Sequence, residues 1–132
     1  MNLQVGVKAV IKNANTVLLL QRRGYDDLDT TWDIPGGRIN PQESLLDGLK
    51  RELFEEIGVK IDETPELVDA QDIFVESKDL HVVRLTYLIS KSIDPITLSD
   101  EHSDYRHVSL DQLDAYNIDN ITRQMLLRLV ER

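Results

Sequence analysis

The fold class this sequence predicts is an α/β sandwich with a mixed sheet, and three observations carry the prediction. Leu3 to Ile11 alternates with the period of a strand, and Leu80 to Ser90 (LHVVRLTYLIS) reads as a second strand late in the chain. Between them, Glu43 to Ile57 carries apolar residues at helical spacing. Strands on both sides of a central helix, followed by an amphipathic terminal helix, bury their apolar faces best as helices packed on a sheet.

Taken in order, Leu3, Val5, Val7, Ala9 and Ile11 fall on one side of the first strand. An Asn-Ala-Asn turn leads to Thr16–Arg23, where the run VLLL predicts a strand buried on both faces. GYDDLDT is a polar loop, and TWDIPGG a short strand stopped by Pro35 and two glycines. Pro41 suits a loop or a helix's first turn, and Gly58 suits the position just past the end of the helix. Val59 to Val75 holds two apolar bursts broken by DETPE. Leu98 to Tyr105 is read as a polar loop, His107 to Leu110 as a short strand, and Asn120 to Arg132 as the terminal helix.

A single domain over residues 1–132 is expected, long enough to bury a core without staples. Hydrophobic residues make up 41% and charged residues 30%, the balance of a globular chain. No apolar run approaches the roughly 18 residues of a membrane helix. The start, MNLQVGVKAVIKN, lacks the charged, apolar and small-residue regions of a signal peptide. Cysteine is absent, which excludes disulfides, thiolate metal sites and a cysteine nucleophile, and fits a cytoplasmic protein. A net charge of −9 with scattered basic residues argues against a nucleic acid polymer as partner. A small polyanion stays accessible if divalent cations sit between it and the protein.

The helix raises that possibility directly. On a helical wheel Leu45, Leu46, Leu49, Leu53 and Ile57 form one stripe, and Glu52, Glu55 and Glu56 crowd its edge, with Glu56 inside the stripe's margin. Gly48 lies beside the cluster, where alanine would favour the helix by about 1 kcal/mol, and is expected to leave a gap there. Carboxylates packed within a turn repel one another, and a divalent cation reverses that effect. From the wheel alone, a solvated acidic face and a cation site both stand.

Spacing separates them. Gly37, Glu43, Arg51, Glu52, Leu53, Glu55, Glu56, Gly58 and Val59 match every specified position of GX5EX7REUXEEXGU, where U is aliphatic, so this stretch resembles the Nudix box. With WDIPGG beside it and the same order of elements, the resemblance to Nudix hydrolases of the MutT type spans essentially the whole chain. It implies an α/β/α sandwich that uses Mg²⁺, with Mn²⁺ as an alternative, to hydrolyse a nucleoside diphosphate linked to a further group. Carried over, Glu52, Glu55 and Glu56 are implied as metal ligands, with the Gly36 carbonyl as a further ligand. Arg51 is implied to orient these glutamates, Glu43 to support them from outside, and Gly37 and Gly58 to shape the loop and the helix end. Glu101, in SDEHSDYRHVSL, stands where the family places a loop glutamate acting as ligand or general base, with Asp100 and His102 ranked behind it. That loop is expected to lack apolar anchors.

Other positions are weaker. Arg23, at the end of the second strand, and Asn120, with Asn117 near it, resemble substrate-contacting positions of the same proteins. Phe74, Tyr87 and Tyr105 could stack on a base, but buried packing is the expectation for each. Nothing marks His81 or His107 as a ligand, and Trp32 is expected to pack under the glycine loop. The proline marking ADP-ribose members would fall at Ile73, and the tyrosine marking dinucleoside polyphosphate members at Val75. A nucleoside triphosphate, unmodified or oxidised, is therefore the expected substrate, cleaved to the monophosphate and pyrophosphate. ADP-ribose, a nucleotide sugar, or a non-catalytic nucleotide-binding role are the alternatives, and a homodimer stays open.

Overall fold

A computed structural model of the chain describes residues 1–22 and 31–129. The described elements run β1 (Asn2–Asn13), β2 (Thr16–Arg22), β3 (Trp32–Asp33), β4 (Gly36–Arg38), α1 (Leu45–Ile57), β5 (Glu66–Val75), β6 (Leu80–Ser90), β7 (His102–Ser109) and α2 (Asn120–Leu129). Short 3-10 turns cover Glu76–Lys78 and Leu110–Ala115. The sheet order is β3-β2-β1-β6-β5, with β4 pairing β1 and β7 pairing β2. β1 and β6 run parallel from Asn2 opposite Leu80 to Lys12 opposite Ser90, while β1 pairs antiparallel with β2 and β4. The sheet is mixed, as the sequence predicts.

Alternation along β1 and β2 sorts the core into two layers. Val7, Ala9, Ile11, Leu18 and Leu20 pack with Leu49, Leu53 and Ile57 of α1. Val10, Val17 and Leu19 pack on the other face with Met125, Leu126 and Leu129 of α2. Val17 to Leu20 are fully buried, so VLLL is indeed apolar toward both faces. The result is an α/β/α sandwich. Among the described residues no helix is long and apolar enough to cross a membrane.

Several boundaries differ from the sequence reading. Helix α1 begins at Leu45: Ser44 is its N-cap, accepting a hydrogen bond from the Asp47 N–H, and Glu43 stays outside. Its C-terminal end is as expected, with Gly58 left-handed at φ 69° and donating to the Phe54 carbonyl. TWDIPGG forms two strands, β3 on β2 and β4 on β1, because the chain leaves one neighbour for the other around Pro35. β7 starts at His102, five residues earlier than polarity suggests, since pairing with β2 continues through polar positions. Leu3 is 64% exposed although it alternates with the core residues, and Phe74 is 58% exposed and stacks on His81 instead of packing inside. Trp32 does not lie under the glycine loop; it joins the α2-side core, edge-on to Tyr116.

Gly48 also departs from expectation. A Cβ there would lie 2.6 Å from Ile39 Cγ2 and 3.0 Å from Glu43 Oε1, so the space is already filled. Ile39 is branched at the contact and cannot swing away cheaply. Crowding of this kind costs about 1–3 kcal/mol and outweighs the roughly 1 kcal/mol of helix propensity that alanine gains. Gly48→Ala is expected to lower stability by about 1 kcal/mol in urea denaturation; a rise would mean that the Ile39 packing yields.

Candidate active site

Helix α1 lies against β4, and the acidic edge of the helix meets the glycine backbone there. The Gly36 N–H donates to Glu56 Oε2 at 2.9 Å. A Cβ on Gly37 would sit 2.6 Å from the Glu52 carboxyl carbon, so only glycine lets that carboxylate rest on the strand. Gly36 has φ 138°, and a Cβ there would meet the Val7 carbonyl oxygen at 2.1 Å. Gly36 is required by its close approach to backbone, whereas a side chain at Gly37 would displace the Glu52 carboxylate.

Arg51 organises the remaining acids. Its Nε and Nη2 donate to the two oxygens of Glu43 at 2.7 and 2.9 Å. Nη1 donates to Glu52 and Glu55 at 3.0 and 3.2 Å, and Nη2 also reaches the Arg38 carbonyl. Glu43 additionally accepts from the Asn40 N–H. The Arg51 hydrogen bonds, helped by Asn40, hold the Glu43 carboxyl down at about 2, and the same pairing with Glu43 raises Arg51 further above its usual range.

Glu56 is the opposite case. It is 8% exposed, and burial pushes its carboxyl up to about 7. The Gly36 N–H and Lys8 pull against that shift, while Glu52 and Glu101 add to it. Glu101 is exposed, and lines a cleft of about 460 Å³ together with Glu52, Glu55, Glu56, Gly36 and Gly37. Asp100 and Arg22 line it too. His102 is buried at the start of β7, and burial plus the nearby Arg22 and Lys8 lower its pKa, so it stays neutral.

The loop before β7 is better anchored than expected. The N–H groups of Thr97 and Ser99 donate to the Ile57 and Glu56 carbonyls at the end of α1, and Ile93, Ile96 and Leu98 pack into or against the core. Glu101 is thereby tied to the same helix end that carries Glu56.

Of the other expected residues, Arg23 lies outside the described residues. Asn120 is exposed at the start of α2, whereas Asn117 lines a cavity of about 310 Å³ with Arg22, Trp32 and Asp33. A neighbouring cavity is lined by two residues that the sequence reading missed. Lys8 reaches Asp33 and the Ile34 carbonyl at 3.1 and 3.2 Å, and Arg84 is 95% buried in β6. The overlooked signal was a cation inside each of two otherwise apolar strands.

Among the described residues no three acidic or histidine side chains converge as a finished metal cluster. Glu52 and Glu55 turn onto Arg51, and Glu56 onto Gly36, as repelling carboxylates do when only these donors offset them. The donor set is nonetheless all oxygen, on one cleft wall, with a carboxylate cradle that a single Cβ would fill. That set suits Mg²⁺ or Mn²⁺.

Residues 2–129 match the sequence profile of the NUDIX domain. The chain is 39% identical over 54 residues to the CTP pyrophosphohydrolase of Escherichia coli K12, covering 41% of this chain and 40% of that protein. It thus spans about two fifths of that relative's length. The nucleoside triphosphatase NudI of Salmonella newport is 28% identical over 104 residues, covering 72% of this chain and 73% of that one. The crystal structure of a MutT protein from Methanosarcina mazei Go1 superposes with a TM-score of 0.84 at 28% identity, over 98% and 94% of the two chains.

Burial of Glu56 has a measurable consequence for the metal-free protein. Its carboxyl shifts from 4.5 up to about 7 on folding, so between those values the native state holds a proton that the unfolded chain has lost. The stabilising contribution is complete below the unfolded value and disappears as pH rises through 7, a loss of roughly 3 kcal/mol. In chelator, wild-type stability is expected to fall between pH 5 and pH 8 more steeply than that of Glu56→Gln. Equal slopes in denaturant titrations would show that Glu56 ionises without penalty.

Proposed function

The chain belongs to the Nudix family, and on that premise we propose that it hydrolyses a nucleoside triphosphate, unmodified or oxidised on its base, to the monophosphate and pyrophosphate. One observation carries the reading: a single cleft is lined by Glu52, Glu55 and Glu56 of a complete Nudix box, by the glycine strand they rest on, and by Glu101. The names of the CTP pyrophosphohydrolase and NudI relatives accord with a nucleoside triphosphate.

In this reading Glu52, Glu55, Glu56 and the Gly36 carbonyl would hold Mg²⁺, with Mn²⁺ able to replace it. Such a cation would supply charge neutralisation for the phosphates and acidity for a water molecule. Arg51 keeps Glu52 and Glu55 on the cleft wall and, through Glu43, keeps the loop after β4 in place. Gly36 and Gly37 let the phosphate-facing carboxylates lie against backbone. Glu101 accepts the proton of the attacking water, whose oxygen ends on phosphorus as the anhydride bond breaks. The departing group, the monophosphate or the pyrophosphate according to which phosphorus is attacked, leaves with the bond's electron pair and takes up a proton from solvent.

Chromatographic detection of the nucleoside monophosphate formed from a panel of triphosphates, ADP-ribose and nucleotide sugars with Mg²⁺ tests the assignment. Turnover of triphosphates is expected; turnover confined to ADP-ribose or a nucleotide sugar would overturn it. Glu52→Gln and Glu56→Gln should each lower kcat by about 100-fold or more with the fold retained. Glu101→Gln should lower kcat about 100-fold or more at unchanged KM, the range of general-base effects. If Glu101→Gln is fully active while Asp100→Asn is not, the base has been assigned to the wrong loop residue.

A further inference from the structure

Arg84 has no role in the mechanism above, yet it is the most buried arginine among the described residues, at 5% exposure. Its Nε donates to Gln71 Oε1 at 3.0 Å, and Thr86 shares that acceptor at 3.3 Å. Nη2 is buried with no hydrogen-bond partner, and no carboxylate pairs with the guanidinium within ion-pair distance among the described residues. Burying a cation without an anion is costly, and burying its N–H group unpaired adds to the cost.

The surroundings show what could satisfy it. Gln71, Arg84, Gly6 and Arg38 lie in one row across β5, β6, β1 and β4. Gly6 contributes no side chain to that row. A Cβ there would make only ordinary contacts of 3.7 Å, with the Gly37 carbonyl oxygen and Val82 Cγ1, so packing does not demand the glycine. Its absence leaves part of a cavity of about 430 Å³, within the size range of small-molecule sites. Arg22, Gly36, Gly37 and Arg38 line both this cavity and the carboxylate cleft, so a molecule with phosphates in the cleft can place its other end here. Val5, Ile73, Leu80 and Val82 supply apolar walls for the faces of a base, and Lys8, Lys78 and Asp33 line the same cavity, so binding of inorganic phosphate is the competing outcome that a test must separate.

We propose that Arg84 is a specificity-determining residue that donates two parallel hydrogen bonds to adjacent acceptor atoms on the nucleotide base. Nη2 is free to donate, and the fork of a guanidinium matches paired acceptors. Cytosine offers such a pair in O2 and N3, and guanine in O6 and N7; adenine and uracil alternate donors with acceptors along their edges. Oxidation of guanine at C8 turns N7 into a donor and removes the match. Among unmodified nucleotides the site therefore favours cytosine or guanine. The inference rests on the nucleotide reading above and adds the base to it.

Titration of CMP, GMP, AMP and UMP into wild type and Arg84→Met, in chelator, tests this without requiring turnover. CMP or GMP is expected to bind about tenfold or more tighter than both AMP and UMP, and to lose that margin in Arg84→Met. Which of the two binds tighter identifies the edge that is read. Arg84→Met should melt no lower than wild type, since it removes a buried unpaired charge. Gly6→Val, with Arg84 intact, should weaken all four by filling the cavity. Equal affinities in wild type, selectivity that survives Arg84→Met, or inorganic phosphate binding as tightly as the preferred monophosphate would overturn the proposal. Selective binding without triphosphate hydrolysis would overturn the hydrolase reading and leave this one standing.

Discussion

One guanidinium holds the acidic edge of α1 together. Arg51 bonds at once to Glu43 outside the helix, to Glu52 and Glu55 on it, and to the Arg38 carbonyl at the end of β4. Without it, carboxylates on adjacent turns would repel one another and the loop from Ile39 to Ser44 would lose its link to the helix. Arginine suits this position better than lysine, because its planar fork meets both Glu43 oxygens while a third nitrogen turns toward Glu52 and Glu55. The helix thus presents a concentrated negative edge that one internal cation offsets only in part.

The uncompensated part is what gives the site its character. Glu56 is outside the reach of Arg51 and is buried against the Gly36 N–H, a weaker offset than a full charge. Its carboxyl consequently rises to about 7, while Glu43, in the grip of Arg51, falls to about 2. Two glutamates of one motif are separated this widely by burial in one case and by ion pairing in the other. A bound divalent cation would relieve the strain on Glu56, which links the destabilising feature of the metal-free fold to the proposed activity.

Much of this was legible in the sequence, for reasons that can be named. The two-faced burial of β2, the alternation in β1 and the Gly58 cap are local consequences of side-chain period and backbone freedom, and they appear as read. The box glutamates were found because their spacing is specific. What escaped depends on contacts between distant segments. Gly48 looked like a gap but is filled by Ile39, Phe74 looked like core but lies on an exposed edge, and β7 extends through polar residues because β2 is there to pair with it. Lys8 and Arg84 escaped for the same reason, since a cation in a strand becomes meaningful only once the sheet shows what it faces.

The central claim is that the helix edge is a cation site and not merely a solvated acidic surface. Titration with Mn²⁺, followed by the electron paramagnetic resonance signal of the free ion, measures this directly and requires no substrate. Wild type is predicted to remove Mn²⁺ from solution saturably, with Mg²⁺ competing, and Glu56→Gln to weaken that binding about tenfold or more, as loss of a charged ligand should. Weak, unsaturable binding that is the same in wild type and Glu56→Gln would contradict the account and return the glutamates to a solvated helix face.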